Sequence, residues 1–143
     1  MAIANLHETL LAYTMRKNAI NLNITNLQSQ KALALLQTQN TNSLLAAGKA
    51  ELRDYYKDLF ENDEELQEKY DSYTEIVDFE EAIEKIQAQY NDELAEIAAW
   101  ETQVDSEITT ESAELEEINA YMESMKNMLS SNIQEDFNYG LNG

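Results

Sequence analysis

The residues that most often do chemistry in a helical protein are scarce in this 143-residue chain. There is one histidine, His7, and no cysteine. A carboxylate-bridged metal pair in a helix bundle draws a Glu-x-x-His pair from each of two helices, so a single histidine excludes its usual form. His7 does not follow a glutamate by three; Glu8 is simply its neighbour. Without cysteine there is no thiolate zinc site and no disulfide. No serine or threonine stands at a recognisable spacing from a histidine base, which removes the support for nucleophilic catalysis. No glycine-rich phosphate loop occurs. The acidic run NDEELQEKYD (62–71) lacks the alternating ligands and central glycine of an EF-hand calcium loop. These absences predict a non-enzymatic protein with no catalytic, cofactor or metal residues.

The carboxylates are many but patterned as a solvated face. Most of those between Glu80 and Glu117 fall off the apolar seam of the segment that carries them. Glu93 and Glu111 alone lie near it. Residues 1–60 hold six Lys/Arg against four Asp/Glu, whereas residues 61–143 hold three against 24. That balance argues against nucleic acid and anionic membrane surfaces, both of which need clustered basic side chains. It suits a basic protein partner, or solubility through self-repulsion.

The elements carrying these residues are predicted to be long helices. Proline is absent and the three glycines are Gly48, Gly140 and Gly143, so the main helix breakers are missing over most of the length. In the first arm a heptad seam runs in one phase through Ile3, Leu6, Leu10, Tyr13, Lys17, Ile20, Ile24, Leu27, Lys31, Ala34, Thr38, Thr41, Leu45, Gly48, Leu52, Tyr55 and Leu59. Such spacing keeps residues on one side of a supercoiled helix. In the second arm Phe79, Ile83, Ile86, Tyr90, Leu94, Ile97, Trp100, Val104 and Ile108 continue through Leu115, Ile118, Met122, Met125, Leu129 and Ile133. The gap between Ile108 and Leu115, with ITTES beside it, predicts a bend or irregularity near 105–112. Asn62, Ser72 and Asp78 each precede a glutamate by three, the spacing of a capping box. They predict a short helix near 63–71 and a helix start at 78. Six aromatics, Tyr55, Tyr56, Phe60, Tyr70, Tyr73 and Phe79, gather where a tip core would close.

The fold expected is therefore all-α: a single domain over 1–143, built as a long antiparallel, coiled-coil-like hairpin with arms 2–60 and 79–137, a helical tip 61–78 and a tail 138–143. The alternative breaks the first arm at Thr41–Ser43 and gives a three- or four-helix bundle.

One stretch does not suit a thin hairpin. Residues 21–48 carry a single charge, Lys31. Beside the seam runs a second apolar stripe, Leu11, Met15, Leu22, Leu33, Leu36 and Leu44, flanked by Asn and Gln instead of the usual Glu and Lys. Amides enter a protein contact without desolvating a net charge. Leu22, Leu33, Leu36 and Leu44 are thus the predicted contact residues for another helix, either in a homo-oligomer or on another helical protein. Full burial of four leucines contributes about 6–10 kcal/mol before ordering entropy. At the far end, Asn138-Tyr139-Gly140 predicts a helix stop with Gly140 as a left-handed cap. Phe137, Tyr139 and Leu141 then form a short apolar tail that folds back on the chain, docks on a neighbouring subunit or is read by other machinery.

No basic, apolar, small-residue leader opens the sequence, and no apolar run approaches the roughly 20 residues of a membrane span. The expected setting is cytoplasmic, or export without a classical signal. In layout and composition the chain resembles small helical-hairpin proteins that secretion systems export and polymerise; that resemblance implies a structural, filament-type subunit. The competing expectation is an acidic adaptor or chaperone that holds a basic or amphipathic segment.

Overall fold

A computed structural model describes residues 3–142, with side-chain surroundings for 3–137. The chain is an all-α helical hairpin in which α1 (Ile3–Glu61) packs against α3 (Val77–Asn142). The short α2 (Glu64–Lys69) and a 3-10 turn (Tyr73–Glu75) join them. No strand occurs among the described residues. The chain divides into two compact units, Met1–Lys31 with Gln103–Gly143, and Ala32–Thr102.

In the first unit the seam positions of α1 face α3 as their period requires. Leu6, Ile20 and Leu27 are buried, and Leu10, Tyr13, Lys17 and Ile24 are half-buried. Ile20 packs with Ile118 and Met122 of α3, with Leu115 alongside. The rings of Tyr13 and Tyr121 stack with centroids 6.0 Å apart. Arg16 pairs with Glu114, and Lys31 with Asp105 at 2.7 Å. Both pairs lie at the surface, where such contacts contribute little.

The irregularity expected at 105–112 is absent: α3 is helical throughout. Two local features remove the reason for a break. The Thr109 and Thr110 hydroxyls donate to the carbonyls of Asp105 and Ser106, both at 3.0 Å, so they take no helix hydrogen bond away. Glu111, half-buried near Leu27, fills the seam position between Ile108 and Leu115 and keeps the steps at three and four.

In the second unit every other seam position of α1 from Ala34 to Gly48 is small: Ala34, Thr41 and Gly48. Ala34 and Thr41 are buried. Gly48 marks the close approach of the two helices, because a Cβ built there would overlap Cδ1 of Ile86 and lie 3.7 Å from its Cγ1. Next to it the Lys49 ammonium donates to the Gln87 side-chain carbonyl. These contacts correct the reading of a helix break at Thr41–Ser43, and with it the shorter-bundle alternative. α1 runs unbroken through them, since small residues here admit the bulkier side chains of α3, and packing overrides weak propensity.

Past Leu52 the buried side of α1 moves on by one residue. Tyr55 and Leu59 are exposed, while Tyr56 and Phe60 turn inward. Phe79 anchors the tip: its ring meets Tyr56 and Tyr73 edge-on, each with centroids 5.5 Å away, and Ile76 is buried nearby. Of the three expected caps, Ser72 is made and the other two differ. Asp63, not Asn62, caps α2 by accepting from the Glu65 amide at 3.0 Å, while the Asn62 side chain donates to the Asp58 carbonyl. Ser72 caps the 3-10 turn, and Glu75 accepts from the Asp71 amide at 3.1 Å. Asp78 lies inside the first turn of α3, where a carboxylate complements the helix dipole instead of capping it.

At the other end α3 continues through Gly140 to Asn142, and no glycine among the described residues has positive φ. The expected left-handed stop at Gly140 is therefore not made. A glycine can extend a helix at a cost of only about 1 kcal/mol, and no proline follows to force an end.

Candidate functional site

The outward faces of α1 hold the residues singled out for contact. In the second unit Leu33, Leu36 and Leu44 are 48%, 51% and 58% exposed. In the first unit Leu22 is 61% exposed, with Leu11 and Met15 on the same side of the stripe. Phe137, in the last part of α3, is also exposed. The side chains of Tyr139 and Leu141 lie outside the described residues. Leu33 and Leu36, three apart, are neighbours on the helix surface, as pairs at that spacing must be. Leu44 flanks their line. Leu22 and Phe137 belong to the other unit.

The heptad frame explains why these leucines are left in water. The seam toward α3 occupies two of seven positions per repeat. Counting the seam as a and d, the far side of the helix is formed by f, with b and c flanking it equally, and the c and f positions make one continuous stripe there. From Leu33 to Ala50 of the second unit, the c and f positions are Leu33, Leu36, Asn40, Ser43, Ala47 and Ala50, all exposed and all uncharged; charge returns with Asp54 and Lys57. Leu35, at an e position, is likewise 55% exposed; it is a surface leucine that the stripe did not include. In the first unit c and f bring Ala12, Met15, Ala19, Leu22, Asn26 and Ser29 to the outside. A helix with a second uncharged seam opposite its first has room for a second helix.

Two hydroxyls on the outer side of the first unit are already satisfied within the helix: Thr25 and Ser29 donate to the carbonyls of Asn21 and Thr25, at 3.0 and 3.2 Å. Covering such a hydroxyl orphans no donor. α3 contrasts sharply. In the second unit Glu80, Glu81, Glu84, Asp92, Glu93 and Glu96 are all exposed, with Lys85 their one basic neighbour on that stretch of helix.

The partial exposure of the leucines reduces the energy available. A leucine already half covered gains about 1 kcal/mol on complete burial, so the sequence-based figure, which took each as fully exposed, falls by about half.

The grooves of the second unit are lined by mixed side chains, such as Gly48, Leu52, Tyr55, Ile86 and Gln89 in one of them. Among the described residues no cluster of three or more His, Asp or Glu is placed to hold a metal ion. No described helix is long and apolar enough to cross a membrane. Two tyrosines titrate high. Burial pushes the Tyr56 phenol up, and the carboxylates of Asp78 and Glu81 add to it. The Tyr121 phenol is raised by its hydrogen bond to Glu117, at 3.1 Å. Both are explained by packing at the tip and on the surface of α3. Comparison with protein-family models, with curated proteins and with solved structures finds no match to this chain.

Proposed function

We propose that the protein is a non-enzymatic assembly subunit that associates with copies of itself through the uncharged outer face of α1. One observation carries this reading: Leu33, Leu36 and Leu44 stand exposed on a helix surface without a charged residue between Ala32 and Gly48. Solvated helix faces ordinarily carry alternating charges, and a contiguous apolar patch is a mark of a contact surface. The acidic α3 surface then keeps assembled copies apart on their other sides and limits indiscriminate aggregation.

The test is Leu33→Glu combined with Leu36→Glu. Light scattering coupled to gel filtration should find the wild-type chain above its monomer mass of 16.4 kDa and the variant at that mass. Far-UV circular dichroism should be nearly unchanged, because both sites point away from the α1–α3 seam. Equal masses for the two proteins refute the assignment of the surface.

A second reading rests on the exposed carboxylates of α3 between Glu80 and Glu96: an adaptor holding a basic segment. It requires binding of a Lys/Arg-rich peptide that weakens steeply as salt rises. Salt-independent capture, or none, removes it.

A further inference from the structure

We infer that the second copy docks antiparallel on the second unit, α1 against α1, about a two-fold axis between Asn40 and Ser43. This rests on the self-association proposed above and adds its geometry. The outer seam of the second unit reads Leu33, Leu36, Asn40, Ser43, Ala47, Ala50. Reversed and laid on itself about that axis, it sets Leu33 against the second copy's Ala50, Leu36 against Ala47, and Asn40 against Ser43. Every layer is matched: apolar on apolar, polar on polar. A large residue also meets a small one in each outer layer, so the distance between helix axes stays even along the contact.

A parallel, in-register pair also matches residue types, but it stacks leucine on leucine at one end and alanine on alanine at the other. The helices would splay. Parallel packing also aligns the two helix dipoles side by side, whereas the antiparallel pair opposes them. Charge selects the same face. α3 of this unit carries eight Asp/Glu against one lysine from Val77 to Thr102, so two such faces repel. The flanks of the proposed seam pair Gln37 with Leu44 and Gln39 with Ala46, and no like charges oppose each other. Five turns of helix give a contact at the low end of the roughly 1,200–2,000 Å² that stable complexes bury. The dimer is therefore expected to exchange readily on dilution.

The chain has no cysteine, so introduced thiols report without background. Two full-length variants are made, Leu36→Cys and Ala47→Cys, each checked for unchanged helicity, and oxidised mildly alone and mixed. The inferred register joins residue 36 of one copy to residue 47 of the other. It keeps 36 from 36 by 11 residues, about 16 Å of helix, beyond the reach of a disulfide. A disulfide dimer in the mixture, at least tenfold over either variant alone, is the expected result. Self-crosslinking of Leu36→Cys alone overturns the register in favour of a parallel pair or an axis nearer Leu36. Wild-type chain that sediments as an oligomer, with no disulfide in the mixture, overturns the register and leaves self-association standing. Monomer at every concentration overturns both.

Discussion

The close approach at Gly48 can be tested by a double-mutant cycle with Ile86. Replacing a helix-interior glycine by alanine ordinarily stabilises by about 1 kcal/mol. Here the new methyl would overlap Cδ1 of Ile86. That atom is the free end of a flexible side chain, so it is displaced by rotation rather than by moving backbone, at a cost of roughly 0.5–1.5 kcal/mol. The two effects nearly cancel. Gly48→Ala alone is expected to shift stability by no more than about 0.5 kcal/mol in either direction. Ile86→Val removes Cδ1 and costs roughly 0.5–1.5 kcal/mol. In that background the alanine methyl occupies vacated space, and Gly48→Ala should stabilise by about 1 kcal/mol or more. The coupling read from urea midpoints is then about 1 kcal/mol, well above the few tenths expected of independent sites. If Gly48→Ala stabilises by the full helix increment in both backgrounds, the helices do not approach at Gly48 and the register described for the second unit is wrong.

Phe79→Ala should cost roughly 3–5 kcal/mol, since the ring is buried and touches Tyr56 and Tyr73; the midpoint of urea unfolding measures it. Tyr56 makes the tip sensitive to alkali. Its pKa in the fold lies above the ordinary 10.0, so its contribution is whole below pH 10 and is lost as pH rises through the folded value. In a spectrophotometric titration Tyr56→Phe should remove one of the two late-ionising phenols, leaving that of Tyr121, and reduce the loss of stability above pH 10; an unchanged profile would count against the burial assigned to Tyr56. The surface pair Lys31–Asp105, both side chains 47% exposed, predicts a loss of less than about 1 kcal/mol for Lys31→Ala, smaller still at high salt.

The sequence made the hairpin legible because its signal is repetitive. From Leu6 to Leu45, positions three and four apart agree on one face of α1, and the structure buries that face. Single-residue punctuation was less legible. Thr41, Ser43 and Gly48 carry low helix propensity, yet Thr41 is buried and Gly48 packs tightly against Ile86, where a small residue is what the packing needs. Gly140 has no proline after it and continues the helix. Spacing placed the cap at Ser72 correctly but put the first one at Asn62, a residue short of Asp63, because the cap's backbone angles are not fixed by spacing alone. For the candidate surface, missing charges between Ala32 and Gly48 pointed to the face that α3 leaves open. The half-coverage of its leucines depends on how neighbouring side chains lie on the helix, which residue type does not reveal.

If a second copy of the chain covers the uncharged outer face of α1, sedimentation equilibrium of the unmodified protein, from tens of micromolar downward, finds a weight-average mass well above 16.4 kDa at the highest concentration, falling toward that value on dilution. A mass of one chain across the whole range would contradict it.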